Sequence, residues 1–135
     1  MVIKMRANGI PEDIRDFILK YIDSVELLNV LMLFQANPNK EWSSQDIETT
    51  IRSSNASIQR RLQDLYARGV LIEKSPLKDR HAFTPKTEET ADLINKVAAY
   101  NKLFPYRVID LIYSRPAETL RSFADAFRIG KKEEK

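Results

Sequence analysis

Asn55, Ser57, Gln59, Arg60 and Gln63 cluster at the start of a helical stretch, and their side chains are those that read nucleic-acid base edges. A carboxamide can bond an adenine edge in two places and a guanidinium can do the same to guanine. Ala56 and Ser57 are small enough to let a helix backbone approach a groove closely. Base reading is therefore expected from Asn55, Ser57, Gln59 and Arg60, with Gln63 beside them. The plainer alternative is a solvated polar helix face.

A second set has the chemistry of phosphate contact, which positions a protein on a duplex without reading its sequence. Ser44 and Gln45 stand where a helix should begin, and free backbone amides there attract an anion. Arg52 and Arg61 flank the two central helices, and Lys78 and Arg80 lie around a basic turn. Residues 42–85 carry seven basic and five acidic side chains, a net of only +2. This small excess permits a nucleic-acid partner without demanding one.

The elements that must hold these residues follow from periodicity and punctuation. Pro11, Glu12 and Asp13 open a helix with Ile14, Phe17, Ile18 and Tyr21 at helical spacing. Asp23 or Ser24 caps the next, which carries Leu27, Leu28, Leu31 and Phe34 and ends at Asn37, Pro38 and Asn39. Ser43 or Ser44 caps a short helix through Ile47 and Ile51; Ser53, Ser54 and Asn55 supply a turn and the following cap. Ile58, Leu62, Leu65 and Tyr66 make the buried stripe of the helix over residues 55–68. At about 100° per residue, the opposite side presents Ala56, Arg60, Gln63 and Ala67. Gly69 suits the left-handed position after a helix end. Val70, Leu71 and Ile72 have strand character, Ser75 to Asp79 forms a hairpin tip, and His81 to Thr84 returns, giving a wing over residues 73–84. A long helix carrying Ala91, Ile94, Val97, Ala98 and Leu103 is interrupted by Pro105. Another carries Val108, Ile109, Leu111 and Ile112 to Arg115-Pro116, and a last one shows Leu120, Phe123, Ala124 and Phe127.

The expected fold class is mainly α with a small β-hairpin: a winged helix-turn-helix with flanking N- and C-terminal helices. Within a single domain of residues 1–135, residues 11–36 form N-terminal helices and residues 42–85 the winged core. Residues 86–129 form C-terminal helices suited to dimerisation, and residues 130–135 a charged tail. Residues 42–85 resemble the winged helix-turn-helix of the MarR (multiple antibiotic resistance regulator) family of bacterial transcription regulators. The likeness lies in Leu65 to Gly69, the apolar Val70-Leu71-Ile72, Asp79-Arg80 and Phe83-Thr84. It implies a recognition helix in the major groove and Arg80 as the wing arginine. It also implies dimerisation through the terminal helices and a cleft for a small apolar or aromatic effector.

Composition narrows the rest. The chain has 135 residues, 43% hydrophobic and 30% charged, with net charge +3 and pI near 9.2, enough for one domain with a core. It has no cysteine and one histidine, against disulfides, thiolate chemistry and imidazole metal sites. No Ser/His/Asp or Cys/His spacing and no glycine-rich phosphate loop is apparent, so neither an enzyme nor a cofactor is expected. Glu88, Glu89 and Asp92 read as a solvated first turn, His81 as a strand residue and Trp42 as a core residue. The first 17 residues lack the apolar run of a signal peptide, and no stretch is long and apolar enough for a membrane span, so a soluble cytoplasmic protein is expected. Two functions compete. One is a sequence-specific regulator binding double-stranded DNA as a homodimer. The other is a winged-helix adaptor that binds protein and not DNA.

Overall fold

The computed structural model describes residues 9–71 and 79–114. It is mainly helical: α1 (Glu12–Tyr21), α2 (Val25–Ala36), α3 (Ser44–Ile51), α4 (Asn55–Ala67), α5 (Glu88–Leu103) and α6 (Pro105–Ser114). Local chemistry starts and stops these helices. The hydroxyls of Ser24, Ser43, Ser54 and Thr87 accept from the amides of Leu27, Asp46, Ser57 and Thr90, each satisfying a donor that a helix start leaves free. Gly69, at φ +75°, turns the chain sharply after α4. Its amide donates to Tyr66, and those of Val70 and Leu71 donate to Leu65, which satisfies carbonyls at the helix end. Phe104 lies between α5 and α6, and Pro105 fills the first position of α6, where its missing N–H costs nothing.

α2 is apolar on several sides because it packs against α3, α4 and α5. Leu27, Leu28, Val30, Leu31 and Phe34 all point into one core, shared with Phe17 and Ile18 of α1, Ile47 of α3, Ile58, Leu62 and Leu65 of α4, and Ile94 and Val97 of α5. α1 meets α5 and α6, so the first and last described helices close the same side of the molecule. Leu103, placed by periodicity in the α5 stripe, is instead 73% exposed. It is the last residue of α5, where the chain turns toward α6.

The expected hairpin is not seen among the described residues. Val70 and Leu71 are buried, as strand residues covered on both faces would be, but they form no ladder with residues 81–84. His81 pairs instead with Trp42, in an antiparallel bridge that exchanges both backbone hydrogen bonds at 2.7 and 2.8 Å. The segment before α3 takes the place expected of residues 70–72. Ser75, Lys78 and the rest of residues 72–78 lie outside the described residues, as do Leu120, Phe123, Ala124, Phe127 and the charged tail.

Candidate nucleic-acid interface

α3 and α4 are joined by Arg52, Ser53 and Ser54. Arg52 turns the chain at φ +66°, a left-handed conformation that residues with a Cβ rarely adopt. Burial of Ile58, Leu62 and Leu65 orients α4, and Ala56, Arg60, Gln63 and Ala67 lie exposed on its other side, the face that helical periodicity assigns. Gln45, Arg52, Arg60, Gln63 and Arg80 are exposed, and none makes a side-chain hydrogen bond or ion pair among the described residues. Lys78 lies outside those residues.

The other candidates are held within the protein. Ser44 is 3% exposed. Its amide and its hydroxyl both donate to Asp79 Oδ2, at 2.8 and 2.5 Å. The start of α3 does attract an anion, but that anion is the chain's own carboxylate. Ser44 Oγ in turn accepts from Gln59 Nε2 at 3.1 Å and Asn55 Nδ2 at 3.3 Å, and Asn55 Nδ2 also reaches Glu48 Oε1 at 3.3 Å. Ser57 donates to Glu26, as does Ser53. Arg61 donates to Ser24 Oγ at 3.2 Å and lies 3.8 Å from Glu26 and 3.7 Å from Asp64. Ser57 and Arg61 thus join α4 to α2, in place of the free polar roles their positions suggest.

Glu26 and Asp79 organise these contacts, and sequence reasoning missed both roles. Burial opposes ionisation of Asp79, but hydrogen bonds from Ser44 and His81 outweigh it and hold the carboxyl below its ordinary value. Burial likewise opposes ionisation of Glu26, and hydrogen bonds from Ser53 and Ser57, with Arg61 nearby, lower it on balance. The one signal for Glu26 is a carboxylate set inside the apolar run of residues 25–34. Nothing local marks the pairing of Asp79 with Ser44, 35 positions earlier.

His81 completes a chain of contacts. Its Nε2 lies 2.7 Å from Asp79 Oδ1, and its Nδ1 lies 2.9 Å from the Tyr66 hydroxyl. A carboxylate only accepts, so Nε2 carries a proton toward Asp79, while Nδ1 and the Tyr66 hydroxyl share the second hydrogen bond. Folding therefore gathers a serine, an aspartate and a histidine that sequence spacing does not reveal as a group. Their wiring differs from an activated nucleophile. Ser44 donates its hydroxyl hydrogen bond to the carboxylate, and the imidazole meets the other carboxylate oxygen, so no imidazole nitrogen faces the hydroxyl as it does in a serine nucleophile's triad.

No group of three or more His, Asp or Glu side chains suited to a metal ion occurs among the described residues. No helix among them is long and apolar enough to cross a membrane. Comparison with family models, curated proteins and solved structures returns no match.

Proposed function

We propose that this protein is a sequence-specific double-stranded DNA-binding regulator of the winged helix-turn-helix kind, with α4 in the major groove. The observation that carries this reading is the exposed face of α4. Arg60 and Gln63 stand exposed on it with no side-chain hydrogen bond among the described residues, Arg60 also lending its charge to Glu26, beside small Ala56 and Ala67 that let the backbone approach. Arg52 and Arg80 stand exposed at the preceding turn and beyond α4, suited to phosphate. Asn55 and Gln59 border the same face from the helix N-terminus, the end that contacts bases in this motif. Ser44, Ser57 and Arg61 act in this reading as supports for α4 and α3.

A homodimer on a pseudo-palindromic site belongs to the same reading, with recognition helices about 34 Å apart. Selection of binding sites from a random duplex library tests the proposal. Enrichment of an inverted repeat with half-sites about one helical turn apart is expected; no enrichment over the input library sinks it.

One observation favours the adaptor as a second reading. Tyr106 and Tyr113 are 84% and 76% exposed on α6, near the equally exposed Leu103. Aromatic side chains in such a patch suit a protein partner. A protein complex lost in Tyr106→Glu and Tyr113→Glu but kept in Arg60→Ala and Arg80→Ala would support it.

A further inference from the structure

The contacts at Ser44 have a direction. Ionised Asp79 can only accept, so the Ser44 hydroxyl must spend its one proton there. Its oxygen is left with two lone pairs, and two side chains from α4 fill them. Both must therefore present N–H and not C=O. Ordinarily the two ends of a carboxamide are interchangeable and only the surrounding network settles which way it points. Here a carboxylate from the segment after α4 settles it for two amides on α4 itself.

The two amides end up chemically different. Asn55 directs Nδ2 at both Ser44 and Glu48, each at 3.3 Å, which turns its amide nitrogen toward the protein and leaves its carbonyl oxygen as the acceptor. Gln59 gives one N–H to Ser44 and keeps one N–H and its carbonyl oxygen. A side chain with one donor and one acceptor matches the N7 and N6 of adenine in the major groove; an acceptor alone matches an exocyclic amine.

We propose that Ser44, oriented by Asp79, is a specificity-positioning residue that fixes Gln59 as an adenine reader and Asn55 as an acceptor for a base amine. The inference rests on the DNA-binding reading above. Ser44 touches no base in it and acts only through the two amides. Without its hydroxyl, the Gln59 amide turns over freely and offers either edge.

Two measurements test this. The first compares wild type, Ser44→Ala and Ser44→Thr on selected duplexes varied at the base whose preference disappears in Gln59→Ala. Wild type and Ser44→Thr, which keeps the hydroxyl, should favour adenine there by roughly tenfold. Ser44→Ala should fall to about twofold at that base, with little change toward random duplex, which phosphate contacts dominate. Full adenine preference in Ser44→Ala overturns the proposal while leaving DNA binding intact. A wild type that selects no site overturns the DNA-binding reading and this inference with it. The second measurement needs no substitution. In the unbound wild type, a side-chain N–H of Gln59 should exchange with solvent more slowly than those of Gln63, an exposed neighbour without a partner. Equal exchange at the two residues overturns the proposal even if Ser44→Ala does not fold.

Discussion

Trp42 and His81 each donate a backbone N–H to the other's carbonyl across a separation of 39 positions. The indole is 5% exposed, and Lys40 Nζ lies 3.9 Å from its ring centre. This bridge ties the segment leading into α3 to the segment leaving Asp79, which explains why Asp79 reaches the first turn of α3. Removing the ring opens a large cavity beside the bridge. Trp42→Ala should lower unfolding free energy by about 3–5 kcal/mol, read by urea titration.

Glu26 holds the turn before α4 and α4 itself to α2, through Ser53, Ser57 and Arg61. Glu26→Ala leaves two hydroxyls without their acceptor and takes one of two carboxylates from the Arg61 guanidinium. The loss should be about 1–3 kcal/mol. Ser57→Ala should cost less, because Glu26 keeps its other contacts. Chemical denaturation of the two variants decides the order, and a larger effect in Ser57→Ala would contradict this account.

Acid should weaken the fold through the same carboxylates. Asp79 and Glu26 both lie below their ordinary values of 3.8 and 4.5 in the folded protein, because hydrogen bonds outweigh burial. Their folded pKa is depressed, so their contribution is full above those ordinary values and disappears as pH falls through the lower, folded ones. The urea midpoint should hold steady from neutral pH to about 5 and fall below about 4. Asp79→Asn should flatten that fall. An equally steep fall in the variant would show that Asp79 is not among its causes.

Arg52 occupies a left-handed position that glycine adopts without strain. Arg52→Gly should leave stability unchanged or raise it by up to about 1 kcal/mol, and should weaken DNA binding by removing the phosphate contact proposed for it. Gly69→Ala is the converse. No atom lies within 4 Å of an added Cβ, but φ is +75°, so the substitution should cost about 1–2 kcal/mol through the backbone alone. Thermal unfolding of both variants tests the contrast.

Much of the helical framework is legible in the sequence because short-range chemistry sets it. Ser24 and Ser54 cap helices by reaching three residues ahead, Gly69 ends α4 by its own backbone freedom, and Pro105 starts α6 by its ring. The exposed face of α4 follows from the spacing of Ile58, Leu62 and Leu65. The partner of His81 does not follow, because strand-like residues on both sides of the turn compete and only the folded chain brings Trp42 alongside. Ser44 and Ser57 show the same limit. Each is polar and well spaced for contact with a nucleic acid, yet a carboxylate distant in sequence claims each hydroxyl. The exposure of Leu103 has a third cause, since apolar periodicity runs to the end of α5 while the chain has already begun to turn.

The most direct test is the salt dependence of affinity for duplex DNA, measured by fluorescence anisotropy for wild type, Arg60→Ala and Arg80→Ala. Both arginines are exposed and neither makes a side-chain hydrogen bond among the described residues, so the variants should keep wild-type stability to within about 0.5 kcal/mol. Wild-type binding should weaken steeply with salt. Arg80→Ala should lower the slope of log affinity against log salt by about one, and Arg60→Ala should lose base preference, worth about 1–3 kcal/mol. No binding at low salt, or equal affinities and slopes for all three proteins, would contradict the claim that this chain binds DNA through α4.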